Sequence, residues 1–116
     1  MMTFGEVPIY LHRDPVDFRK AINGLSTIVV NSMELPIFKP GLFVFCNKSR
    51  DKLKVLYWDN TGFCLWHKRL EKHKFMWPKK HQDSTVNWNL EQLNWLLRGI
   101  DVSKISIHNS LKYNSI

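Results

Sequence analysis

Ten cationic side chains crowd into residues 48–80: Lys48, Arg50, Lys52, Lys54, Lys68, Arg69, Lys72, Lys74, Lys79 and Lys80. Only Asp51, Asp59 and Glu71 oppose them, while the stretches before and after the block are balanced. Trp66, Phe75 and Trp77 are interleaved with the charges, and His67, His73 and His81 lie in or beside them. Lysine and arginine hold phosphates, and aromatic rings stack on bases, so this mixture suits contact with nucleic acid. The plain alternative is a solvated basic face that keeps the chain in solution, its aromatics belonging to the core.

Other chemistries find less support. Cys64 and His67 have a C-x-x-H spacing, and zinc favours Cys and His. On a strand, however, residues three apart point to opposite faces, which defeats both a shared metal and a Cys–His nucleophile pair. Cys46 reads as a small buried hydrophobe. Metal-assisted cleavage of a phosphodiester would need clustered carboxylates. Asp14 and Asp17 suit a helix start, Asp51 and Asp59 suit turns, and Glu71 has basic neighbours to pair with. Neither a G-x-x-x-x-G-K-[ST] loop nor a G-x-G-x-x-G turn occurs. The expectation is no enzyme, no cofactor and no metal.

The elements that would position the basic block follow from the apolar pattern. Leu42–Cys46, Leu53–Trp58 and Phe63–Leu70 read as strands. Asn47–Asp51 and Asp59–Gly62 are the turns between them, so the three make an antiparallel meander. Phe75–Trp77, before Pro78, suggests a short fourth strand. Val7–Leu11 suggests another, placed at an edge because it contains Pro8. Asp14 and Pro15 suit a helix N-cap and first position. Phe18, Ile22, Leu25, Val29 and Met33 then repeat at intervals of three and four, as one helical face. Gly24 in that helix implies close packing. Asn89, with Gln92 three residues on, predicts a capping box, and Gly99 a helix C-terminus. The expected fold is α+β: a small antiparallel meander of three to four strands, with one helix before and one after. Residues 1–101 form the expected domain, and the Asn- and Ser-rich stretch 102–116 a flexible tail.

Composition agrees with a single globular domain. The chain has 116 residues, 44% of them hydrophobic and 23% charged, with a formal net charge of +7. The longest apolar run, Leu42–Cys46, is far short of the roughly 18 residues of a membrane span. No basic-then-apolar leader opens the sequence, and two cysteines without one suggest reduced thiols. A bacterial cytoplasmic protein with no membrane partner is expected, the nucleoid being its candidate place of association.

Several separated motifs carry a family resemblance. Gly41-Leu42-Phe43-Val44-Phe45, Lys52 to Asp59, Gly62-Phe63, Lys68-Arg69-Leu70-Glu71 and Phe75-Met76-Trp77-Pro78 stand in a familiar order. Asp17-Phe18-Arg19-Lys20 with Gly24-Leu25, and Leu96-Leu97-Arg98-Gly99-Ile100-Asp101, extend it over residues 7–101. Together they resemble the TnpB accessory proteins, encoded by the second reading frame of insertion sequences of the IS66 family. The chain departs from that pattern at His73 and near Ala21, where the family commonly has glycine. The resemblance implies a small protein made beside a larger transposase and needed for efficient transposition.

Charge and resemblance combine into one expectation: a non-catalytic DNA-binding accessory factor of a transposon. Arg50, Lys52, Lys54, Lys68, Arg69, Lys72 and Lys74 would hold phosphates along one face of the meander. Trp77 would stack or wedge, and Arg19 and Lys20 on the first helix would extend the surface. Its partners would be transposon ends or non-specific duplex, and the transposase of the same element. Rival readings are a protein–protein adaptor that recruits the transposase and an RNA-binding regulator of the element.

Overall fold

A computed structural model describes residues 7–78 and 83–99. In chain order these residues form β1 (Ile9–His12), a helix (Ile22–Thr27, α1) that widens into a π-helical turn (Ile28–Ser32), β2 (Leu42–Cys46), β3 (Lys52–Asp59), β4 (Gly62–Arg69), β5 (Thr85–Trp88) and α2 (Leu90–Leu97). The five strands make one mixed sheet in the order β4-β3-β2-β1-β5. β2, β3 and β4 are the expected antiparallel meander. β1 is no edge strand. It lies between β2, to which it is parallel, and β5, to which it is antiparallel. Pro8 precedes the strand, where its missing N–H costs the ladder nothing, and its carbonyl accepts from the Leu42 N–H at 2.9 Å. A parallel pair needs a crossover of a dozen or more residues, and the segment carrying α1 supplies it.

Alternation along the strands divides the core between the two sheet faces. Leu42, Val44 and Cys46 of β2 point to one face, with Leu53, Val55 and Tyr57 of β3, and α2 covers them with Leu93 and Leu96. Phe43 and Phe45 point to the other, with Leu56, under Leu25 and Val29 of the first helical segment. Every residue of β2 is buried because both faces are covered. Each such side chain contributes roughly 1.5–3 kcal/mol over its exposed state.

Two expected elements differ. Residues 15–21 are not helical. Asp17 spends its carboxylate on the backbone N–H and guanidinium of Arg19, at 2.9 and 2.6 Å, and the helix begins only after Ala21. Phe75–Trp77 pairs with no strand among the described residues. Phe75 and Trp77 instead plug the α2-side core from a coil, 1% and 6% exposed. The strand that pairs beyond the meander and β1 is β5, which the sequence pattern did not single out. At α2 the capping box is formed, and Gly99 adopts φ +84° after the last turn. The stretch 102–116 lies outside the described residues.

Candidate nucleic-acid interface

The β2–β3 turn is built around one side chain. Asn47 Oδ1 accepts hydrogen bonds from the backbone N–H of Asp51 and of Lys52, at 3.1 and 3.0 Å, while its Nδ2 donates to Asp51 at 2.7 Å. The turn leaves Lys48 and Ser49 exposed and sets Arg50 at φ +61°. The chain leaving β4 docks beside it: Leu70 N–H donates to the Asp51 carbonyl at 2.8 Å, and Phe75 N–H to the Arg50 carbonyl at 2.7 Å. With Phe75 anchored in the core, the intervening Glu71, Lys72, His73 and Lys74 all face solvent. Lys48, Lys52, Arg69, Lys72 and Lys74 thus converge on one corner of the sheet.

One pair of cations, Lys52 and Arg69, also stands face to face there. The β3–β4 register pairs Lys52 with Arg69 and Lys54 with His67, all four on the face that carries α1. Like charges directly opposite across a ladder are destabilising. Burial, then Lys54, Lys52 and Arg69, push the His67 imidazole below its ordinary pKa. Glu71 answers part of this field, accepting from Arg69 at 3.0 Å in an exposed pair. The Asn47 hydrogen bond, and then the nearby charges of Lys52 and Lys74, hold the Asp51 carboxyl below its ordinary pKa.

Three of the expected site residues are engaged elsewhere. Trp77 is buried, and its Nε1–H donates to the Arg13 carbonyl at 2.9 Å, so its ring is not open to stack on a base. Lys54 is 8% exposed. Its ammonium donates to the carbonyls of Phe18 and Lys20, at 3.0 Å each. Lys68 points to the opposite face from Lys52 and Arg69, because it neighbours Arg69 on the same strand, and it donates to the Leu97 carbonyl at 3.1 Å. The expected cations therefore do not share a single face. Arg50 is half-buried, with Nη1 enclosed and lacking a hydrogen-bond partner. Arg19 and Lys20 are exposed, but on the loop before the helix rather than on it. Lys48 belongs with the exposed corner and was not singled out for this role. Its place in a turn was legible, but the docking of residues 70–75 beside that turn was not.

The fold separates Cys64 from His67 and encloses Cys46. Cys64 packs toward the α2-side core, whereas His67, on the other face, sets its ring edge-on to Phe18 at 5.9 Å. Burial pushes the Cys46 thiol up to about 12, which leaves it a poor nucleophile. Among the described residues, no three His, Cys, Asp or Glu side chains gather as a metal site would require. No helix of these residues is long and apolar enough to cross a membrane.

Comparison with known proteins bears on the same chain. Residues 7–106 match the family model described as IS66 Orf2 like protein. The chain belongs to the IS66 Orf2-like family. This family is associated with transposition, as an accessory component. Two proteins of Sinorhizobium fredii are similar to this member. y4jC is 33% identical over 97 residues, covering 84% of this chain and 82% of the relative. y4hO is 33% identical over 102 residues, covering 87% and 88%. No solved structure matches.

Proposed function

We propose that this IS66 Orf2-like protein serves transposition as a non-catalytic DNA-binding factor, gripping the phosphate backbone with the corner formed by Lys48, Lys52, Arg69, Lys72 and Lys74. The observation that carries this reading is the cross-strand pairing of Lys52 with Arg69. The fold holds like charges opposite one another, and an external polyanion relieves that repulsion. Burial of Trp77 withdraws the best candidate for a stacking platform, which favours duplex phosphates over unpaired bases as the ligand. No residue is assigned to reading base edges, so the reading concerns affinity and placement on DNA.

Fluorescence anisotropy against a labelled transposon-end duplex, a scrambled duplex and a single strand tests it. Neutralising four or five phosphates gives a fall of log K with log[salt] at a slope of about −4. The variant Lys48→Ala/Lys72→Ala/Lys74→Ala removes three exposed cations and reduces that slope by about 3, equally on every duplex. Absence of duplex binding at low salt, or an unchanged slope in the triple variant, would sink the assignment.

A further inference from the structure

We infer that β4 is a self-association edge: two copies of this chain pair β4 with β4, antiparallel, about a two-fold axis at Trp66. The inference rests on strand geometry and needs no DNA.

β4 is the outermost strand on its side of the sheet, and β3 is its only strand partner among the described residues. Each of its residues, Gly62 through Arg69, pairs one-for-one with β3, so no bulge interrupts it. It contains no proline. Proteins blunt exposed edges with short strands, bulges or proline, and β4 uses none of these across eight residues. The opposite edge, β5, has four. Among the described residues, charge is the one blunting device along the strand, and it is confined to the C-terminal end at Lys68 and Arg69.

The other end of β4 is aromatic. Phe63, Trp58 and Phe38 form a closed trio with ring centroids 4.9, 5.0 and 5.6 Å apart. Phe38 is 64% exposed on this trio. One strand therefore carries a π surface at its start and a cation at its end. Phe63 and Arg69 lie on the same face, three residues to either side of Trp66. Antiparallel pairing about Trp66 thus sets Phe63 of each copy directly opposite the partner's Arg69. The guanidinium, 60% exposed and paired with the exposed Glu71, lands beside the aromatic trio, and the symmetry repeats the contact. Such a contact is self-complementary, as a two-fold interface requires. An axis at Leu65 would instead put Phe63 opposite His67 and leave Arg69 unmatched.

Sedimentation equilibrium of the full, nucleic-acid-free chain reads the outcome. A monomer–dimer equilibrium is expected. Phe63→Arg sets two guanidinium groups against each other, and Arg69→Glu removes the cation; each weakens the dimer about tenfold or more. The double variant Phe63→Arg/Arg69→Glu restores opposite charges across the axis and returns the dissociation constant to near the parent value. That recovery also separates pairing from misfolding. Lys72→Ala/Lys74→Ala, which weakens DNA contact in the reading above, leaves the dimer unchanged. A chain that stays monomeric at high concentration would overturn the inference, as would a dimer indifferent to both single changes or a double variant no better than either.

Discussion

The ammonium of Lys54 lies 3.0 Å from the carbonyl oxygen of Phe18 and 4.7 Å from the centre of the Phe18 ring. A second bond of the same length reaches the Lys20 carbonyl. Lys54 therefore ties β3 to the loop that enters the first helix. Lys54→Met keeps the length of the side chain and removes the donors. It is expected to cost about 1–3 kcal/mol, the range for leaving a buried polar group unsatisfied. A urea midpoint measures it. The same variant leaves the salt dependence of DNA binding unchanged, since Lys54 is spent inside the fold.

Trp77 tests the corrected placement of the aromatic. Trp77→Phe deletes the Nε1–H that bonds the Arg13 carbonyl and is expected to lower stability by about 1 kcal/mol. Trp77→Ala opens a cavity beside Phe75, Leu93 and Leu96 and costs about 3–5 kcal/mol. Trp77→Phe, still folded at room temperature, binds duplex as the parent does. A large loss of affinity in that variant, with the melting transition intact, would return Trp77 to the binding surface.

His67 gives the fold a pH dependence of definite sign. Burial, Lys54, Lys52 and Arg69 all hold its folded pKa below the ordinary value near 6.5. As pH falls, the unfolded chain takes up this proton before the folded one does. The contribution of the neutral ring is whole above the unfolded pKa. It drains away as pH drops below 6.5 toward the lower folded value. His67→Gln, which cannot titrate, is expected to flatten the urea midpoint between about pH 7.5 and pH 5 relative to the parent. Parallel profiles for the two proteins would show that some other group carries the effect.

Local signals were legible and long-range ones were not. The meander could be read because its strands are consecutive and its turns carry Asn, Asp and Gly. The α2 cap could be read because Asn89 and Gln92 satisfy each other within one turn. The first helix was overextended because Phe18, Ile22, Leu25, Val29 and Met33 keep a spacing that an α-helix would share. Its start is lost to the Asp17–Arg19 pairing. Beyond Ile28, a wider turn with Met33 N–H bonded to the Ile28 carbonyl keeps the four-residue spacing on one face. The position of β1 depends on pairing with residues more than thirty positions away, which no local pattern records. At the candidate site the residue types were visible, but their use was not. Lys54 and Lys68 look like surface residues by type and Trp77 by its lysine neighbours, yet each donates to distant backbone carbonyls.

The two ends of α2 offer a final, additive test. The helix has no basic residue in its last turn, and a cation from β4 reaches its C-terminal carbonyls through the Lys68 bond to Leu97. A positive charge there complements the helix dipole, typically by 0.3–1 kcal/mol. Lys68→Met is therefore expected to cost about 1 kcal/mol once the hydrogen bond is included. Asn89→Ala breaks the capping box at the other end and costs about 1 kcal/mol. An eight-residue helix separates the sites by roughly 12 Å. At that distance the double variant should lose the sum of the two within about 0.5 kcal/mol. Urea unfolding of the four proteins closes the cycle. Lys68 also divides the structural role from the binding role. If it caps α2, Lys68→Met leaves the salt slope of DNA binding where it was; a slope shallower by about 1 would place Lys68 on a phosphate instead.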